Sequence, residues 1–293
     1  MKIYTLIINP LFQPASQPFK YPKHNNNYGV EQDFQRYLHS NPHLLTNNSK
    51  HADWHYLPIF WTRYFLNHNY AREGLFELQQ EVDRVLIDDT KTFTICQYDD
   101  GPIVNLGETL QFLASRKTSK GIDIPLLCSQ HKMPFLSPKK KYRASFVGKL
   151  STSLLRTQMD NVLRERKDIF LYDGFKGTRF FTKKILSSYI ALSPRGYGGS
   201  SYRFYEAMQL GVVPLMISDI DTRPFKKFIP WENISFFCDD ISEINLIIDS
   251  FDTKELYDMG IEARKYYYNE LQFQKWCKYI IKYCQDSYAS FSR

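Results

Sequence analysis

Short apolar runs alternate along the chain with stretches whose apolar positions recur every three or four residues. This alternation predicts an α/β protein with parallel sheets. In the first half, KIYTLIIN at 2–9, residues 54–59, TFTICQ at 92–97 and residues 122–127 read as strands. A polar loop through Asn25, Asn26 and Asn27 follows the first of them. Val30, Phe34, Tyr37 and Leu38 then share one helical face, and helical patterns follow at 60–68 and 72–86. Composition shifts at MPFLSPKKK, 133–141, where two prolines and three lysines mark a linker. Beyond it the pattern restarts, with strands expected at 144–147, 168–172, 189–193, 212–218 and 234–238. Helices are expected at 154–164, 182–187, 200–210, 241–251, 254–268 and 273–288. No internal repeat of fixed period is present. The organisation expected is one α/β domain over 1–135, a second over 141–270, and a C-terminal helix, 271–293, crossing back to the first.

Composition narrows the class. With 293 residues, 43% hydrophobic and 24% charged, the chain can bury one large or two modest cores, and disordered or collagen-like readings are excluded. No apolar stretch approaches the roughly 18 residues of a membrane span, and the first nine residues lack the flanks of a signal peptide. The five cysteines (Cys96, Cys128, Cys238, Cys277, Cys284) are odd in number and contain no C-x-x-C pair. Free thiols and a cytoplasmic setting are therefore expected, and the sequons at Asn47 and Asn233 are chance matches. A net charge of +7 favours an anionic partner. Nucleic acid is not the expected one, because it calls for a denser basic stripe. The compact run Lys139-Lys140-Lys141 with Arg143 reads either as a solvated linker face or as a phosphate approach. Oligomeric state is not legible.

The densest chemistry lies in YIALSPRGYGGSSYRFYEAMQLGVVPLMISD, residues 189–219. An apolar strand ends near Ser193, and Gly196, Gly198 and Gly199 let backbone amides approach a ligand. Ser200 and Ser201 can cap a following helix, whose N-terminus favours an anion. Arg195 and Arg203 bring donor forks suited to a diphosphate, and Glu206, three residues after Arg203, can accept from both ribose hydroxyls. Arg203 and Glu206 also fit a plain i,i+3 surface pair, worth only about 0.2–0.5 kcal/mol. The loop is neither a G-x-G-x-x-G fingerprint nor a P-loop.

This segment resembles the signature of the exostosin family of inverting glycosyltransferases: Pro194-Arg195-Gly196, then Ser201-Tyr202-Arg203-Phe204-Tyr205-Glu206-Ala207, then Gly211-Val212-Val213-Pro214. Arg223-Pro224-Phe225, Ile229-Pro230-Trp231 and Arg143-Ala-Ser-Phe-Val-Gly148 with Arg156 continue the likeness. More loosely, Tyr28-Gly29-Val30-Glu31, Ala52-Asp53-Trp54-His55-Tyr56-Leu57-Pro58 and Tyr98-Asp99-Asp100-Gly101 are similar to amino-terminal elements of the family. Tyr98 and Asp100 stand where the family has His and Trp. The chain most resembles a compact form such as the chlorovirus exostosin-like xylosyltransferases.

The resemblance implies a GT-B-like fold, two Rossmann-like domains facing across a cleft, and transfer with inversion from a UDP-sugar, best guessed as UDP-xylose, to a glycan acceptor. UDP-glucuronate or UDP-galactose, and a non-catalytic carbohydrate- or polyanion-binding module, are the alternatives. It implies a donor site drawn from Arg143, Gly148, Lys149, Arg156, Pro194, Arg195, Gly196, Ser200, Ser201, Arg203 and Glu206. The base is then a carboxylate of the amino-terminal domain: Asp99 or Glu31, with Asp100 and Asp53 behind them. Asp99 also fits a turn before Gly101, and Glu31 fits first-turn helix stabilisation. No cofactor and no metal are expected. His51 and His55 lack a third ligand, and Asp219-Ile220-Asp221 reads as a turn rather than a metal-holding D-x-D.

Overall fold

The computed structural model describes residues 1–19 and 28–291, so the loop expected at Asn25, Asn26 and Asn27 lies outside the described residues. The chain divides into two compact units, Met1–Leu127 with Phe273–Arg293, and Cys128–Gln272. Among the described residues no helix is long and apolar enough to cross a membrane.

The first unit contains β1 (Ile3–Thr5), α1 (Val30–Ser40), β2 (Trp54–Leu57), α2 (Trp61–Asn67), α3 (Leu75–Val85), β3 (Thr92–Cys96), β4 (Leu110–Leu113) and β5 (Ile122–Asp123). Its described strands form one parallel sheet in the order β1-β2-β3-β4-β5. Every position of β2 and β3 is buried, the threonines of β3 included, and Thr94 Oγ1 is paired there, accepting from Trp61 Nε1–H at 2.9 Å and donating to the Leu57 carbonyl at 2.9 Å. α1 covers them with Val30, Phe34 and Leu38, and the Phe34 ring meets Tyr56 and Phe93 edge-on. β4 was not legible beforehand: LQFL is only four residues long, yet it pairs with β3 from Phe93↔Leu110 to Cys96↔Leu113.

The last helix, α9 (Cys277–Phe291), belongs to this unit. Asp33, fully buried on α1, accepts from the Gln274 N–H and the Trp276 Nε1–H, both at 2.7 Å, and from the Tyr28 hydroxyl at 2.9 Å. Burial raises this carboxyl above the ordinary value, and the three donors oppose the shift. Trp54 Nε1 adds a bond to the Cys284 carbonyl at 3.0 Å.

The second unit contains β6 (Tyr142–Gly148), α4 (Leu154–Leu163), β7 (Ile169–Asp173), α5 (Thr178–Leu186), β8 (Ser188–Pro194) and α6 (Tyr202–Gln209). It continues through β9 (Val213–Ile217), β10 (Phe236–Cys238), α7 (Ile244–Asp249) and α8 (Thr253–Tyr266). Its described strands are all parallel, in the order β10-β9-β8-β6-β7. The chain moves outward from β6 to β7, then returns to the other side of β6 to place β8. That reversal is a topological switch point, the place where open α/β sheets form a ligand crevice at the carboxyl ends of their strands. Phe146, Ile190, Leu192, Val213 and Leu215 build the core beneath it.

α8 begins with a capping box: Asp252 accepts from Lys254 and Glu255 N–H, and Glu255 returns a bond to Asp252 N–H. α5 starts at Thr178, four residues before the expected position, after Gly177 turns the chain with φ +84°. The boundary between units falls at Leu127/Cys128, not in the proline- and lysine-rich stretch. Residues 133–141 are part of the second unit, held by bonds from Lys140 Nζ to the Ser188 carbonyl and from Lys141 N–H to the Ser187 carbonyl.

Candidate active site

At the carboxyl edge of the second sheet, β6 and β8 part company. They pair from Tyr142↔Ser188 to Ser145↔Ala191 and no further, whereas β6 stays with β7 to Gly148↔Asp173 and β8 with β9 to Pro194↔Ile217. The strand-end carbonyls left over in the gap are taken by two arginines. Arg203 Nε, from the first turn of α6, donates to the Val147 carbonyl at 2.6 Å. Arg156, on α4 and 6% exposed, donates to the carbonyls of Arg195 (3.0 Å), Lys149 (2.9 Å) and Pro194 (3.3 Å) and to Thr152 Oγ1 (2.5 Å). It thereby ties the loop after β6 to the loop after β8.

The Arg203 guanidinium lies directly against Gly148 and over the Phe146 ring, 5.0 Å from its centroid. A Cβ at 148 would come within 1.9 Å of an Arg203 terminal nitrogen, so the guanidinium keeps this place only beside a glycine and would shift away from any larger residue. Burial lowers both guanidinium pKa values, with Arg156 pushed down to about 9, and the charge of Arg203 adds to the Arg156 shift. Two cations held together at reduced solvation favour a bound anion. At an effective dielectric near 20, a phosphate charge about 4 Å from either is worth about 4 kcal/mol. That outweighs an i,i+3 surface pair several-fold.

α6 opens beside them. Ser200 and Ser201 are each 5% exposed, and neither hydroxyl has a partner. Ser201 is the N-cap residue of α6 and makes no side-chain cap bond, so its hydroxyl is not used in closing the helix start. The glycine loop is held from behind, where Ser218 Oγ and Thr222 Oγ1 both donate to the Gly199 carbonyl at 3.1 Å.

Glu206, one turn after Arg203, receives a bond from His131 Nε2 to its Oε1 at 3.0 Å. His131 also walls a cavity of about 660 Å³ between residues 130–138 and α5. Lys132, Arg179 and Lys183 line it with Thr178 and Thr182, over an apolar floor of Met133, Pro134 and Leu136.

Several expected residues stand elsewhere. Arg143 sits at the amino end of β6, the opposite edge from Gly148, and its guanidinium binds the carbonyls of Ile248 and Phe251. Five residue steps at roughly 3.3 Å each separate it from Gly148, so its role is to brace α7. The lysine run also lies at the amino edge, which removes the phosphate-approach reading. Lys140 is tied to Ser188 and its amine is lowered to about 8 by burial. Arg195 is paired with Asp219 at 2.6 Å, and Asp221 with Arg223 and Lys226, with the Arg223 N–H on Asp221 Oδ1. Lys149 is exposed and gives its carbonyl to Arg156.

In the first unit, Glu31 is fully buried. Its Oε1 accepts from Thr62 N–H (3.2 Å), Thr62 Oγ1 (2.8 Å) and Gln97 N–H (3.1 Å), while Oε2 is buried without a partner. It satisfies an amide of α2's first turn, whose N-cap residue, Phe60, cannot. A sealed carboxylate cannot reach an acceptor hydroxyl, so Glu31 is corrected from base to structural clamp. Asp53 lies before β2, on the Lys2 N–H, and Asp100 pairs with Lys117. Asp99 is half-buried in the turn after β3, at the carboxyl edge of the first sheet.

A model of the exostosin GT47 domain matches residues 87–249, more than half of the chain. The chain belongs to the exostosin GT47 family. The match includes Asp99 and every second-unit residue of the site, and excludes Glu31. Among curated relatives of this family member, the probable glucuronosyltransferase GUT1 of Oryza sativa subsp. japonica is 37% identical over 65 residues, 22% of this chain and 16% of that protein. The probable glycosyltransferase At3g07620 of Arabidopsis thaliana is 29% identical over 101 residues, 34% of this chain and 22% of that protein. The matches thus span about a fifth or less of those relatives' lengths. Of solved structures, TarM is similar over 73% of this chain and 57% of its own, at 9% identity and a TM-score of 0.40. MurG of Acinetobacter baumannii is similar over 95% and 83%, at 11% identity and a TM-score of 0.37.

His131 and the cavity beside it were not found from the sequence of this exostosin-family chain. A single histidine before a proline-rich stretch carries no periodic signal, and its carboxylate partner is 75 residues away.

Proposed function

We propose that the chain is an inverting glycosyltransferase using a UDP-sugar donor, with a glycan hydroxyl as acceptor. The observation that carries this is the parted β6/β8 end, where Arg156 and Arg203 converge with the unpartnered Ser200 and Ser201 hydroxyls at the start of α6. The diphosphate lies there, the ribose hydroxyls meet Glu206, and the uracil ring enters the cavity beyond His131. As the acceptor oxygen bonds to the anomeric carbon, the carbon–oxygen bond to the β-phosphate breaks, and the acceptor proton passes to Asp99. The UDP that leaves is stabilised by the arginines and the helix terminus, which supply the positive charge that such a leaving group demands. In this reading no divalent metal is needed, and the GT-B pairing of two Rossmann-like units follows the family likeness.

The sugar is read as xylose from the resemblance of the sequence. Glucuronate is the second reading, favoured by the short match to a probable glucuronosyltransferase. A panel of UDP-sugars, scored for hydrolysis and for transfer to simple acceptors in EDTA, tests both. Turnover with one donor and a product of inverted anomeric configuration supports the proposal. Thermal stabilisation by heparin-like polyanions, with none by UDP, would replace it with a polyanion-binding module.

A further inference from the structure

We propose that His131 is the positioning residue for Glu206, and that through it the site selects ribonucleotides over 2′-deoxyribonucleotides. This rests on the reading of Glu206 as the ribose carboxylate.

The placement begins on α6, where Arg203, Glu206 and Gln209 follow at three-residue spacing along one side of the helix. Gln209 is fully buried. Its Oε1 accepts from the His131 N–H at 3.0 Å, and its Nε2 donates to the Ser129 carbonyl and the Tyr267 hydroxyl, both at 2.9 Å. One glutamine therefore fixes the backbone of residues 129–131 on the helix that carries Glu206. The imidazole then leans on Phe181, 5.6 Å between ring centres, and sets Nε2 at 3.0 Å from Glu206 Oε1.

The His131 and Glu206 side chains are 6% and 15% exposed, so water competes little for either. An ionised carboxylate only accepts, so in this contact His131 Nε2 carries a proton and donates it. A glutamate side chain has three rotatable bonds and loses that freedom when it grips a ligand. Held by His131 beforehand, Glu206 meets the ribose already oriented, and the advantage is felt only by ligands that carry the hydroxyls it reads.

The experiment is calorimetry of the full chain with UDP, 2′-deoxy-UDP and inorganic pyrophosphate. The wild type is expected to favour UDP over its deoxy analogue. His131→Ala is expected to weaken UDP about 10-fold, the scale of re-ordering one flexible side chain. It should shrink the UDP/2′-deoxy-UDP ratio and leave pyrophosphate, which reads only the arginine end, unchanged. His131→Gln, which keeps an N–H donor at similar reach, is expected to restore the ratio. Unchanged or tighter UDP binding by His131→Ala overturns the proposal, as does an equal loss for all three ligands. A wild type that binds UDP and its deoxy analogue alike overturns the ribose role of Glu206 itself, which is a separate failure.

Discussion

The two sheets are built from the same kind of parallel strand, yet they treat polar groups at their carboxyl edges in opposite ways. Among the described residues the first sheet runs β1-β2-β3-β4-β5 without reversal, whereas the second reverses between β6 and β8. In the first, helix-borne carboxylates are sealed. Glu31 clamps the start of α2 to the end of β3, and Asp33 clamps α1 to the segment leading into α9. In the second, the ladder stops early, arginines occupy the gap, and two serine hydroxyls stand ready without partners. The carboxylates of the first unit thus serve the fold, whereas Arg156, Arg203 and the two serines form the proposed donor site of the second. Asp99, half-buried in the turn after β3, is the exception, and the proposed mechanism uses it as the base.

That contrast can be broken in order of expected effect. Asp99→Asn should lower transfer by about 100-fold or more, the scale of general base catalysis, with UDP affinity unchanged. If Asp99→Asn turns over normally, the first unit's edge supplies no chemistry through this residue. Glu31→Ala should act on stability alone, costing about 3 kcal/mol in urea unfolding, because it strands the Thr62 and Gln97 donors in a dry interior. Glu31→Gln should be far milder. Burial raises the Glu31 carboxyl above its ordinary value, so the stability it lends is complete below pH 4.5 and declines as pH rises through the folded value. The glutamine variant should lack that decline.

Effects on the second unit should be read in binding. Arg203→Ala should weaken UDP by about 2 kcal/mol, roughly 30-fold, and cost about 1 kcal/mol in unfolding by leaving the Val147 carbonyl without its donor. Gly148→Ala should do the same on a smaller scale, about 10-fold, by displacing the guanidinium that lies against the glycine. A Gly148→Ala variant that binds UDP normally would show that this position of Arg203 is not the one used.

The fold was legible wherever an element had a periodic pattern long enough to read. β3, α1, α6 and β9 lie close to where their apolar spacing puts them. β4 is too short to declare itself, and the stretch 133–141 reads as a linker although its prolines line a cavity and Lys140 and Lys141 are tied to the start of β8. Of the expected donor-site residues, Arg203 and Glu206 carry a local signal in their helix spacing, whereas Gly148, at a strand end, is marked by the family signature alone. Arg143 was misassigned because a motif does not say which end of its strand faces the ligand. Glu31 was misassigned for a different reason: a helix N-terminus explains a carboxylate locally, and only tertiary packing reveals that Thr62 and Gln97 enclose it. His131 had no local signal at all.

The most direct test is hydrogen exchange of the full chain with and without UDP, in EDTA. The account predicts slowed exchange at 147–156 and 194–206, where the parted strands and the start of α6 hold the ligand, with no change at 30–33, 62 and 97. UDP-dependent protection at those first-unit positions, with none around Arg156 and Arg203, would contradict it.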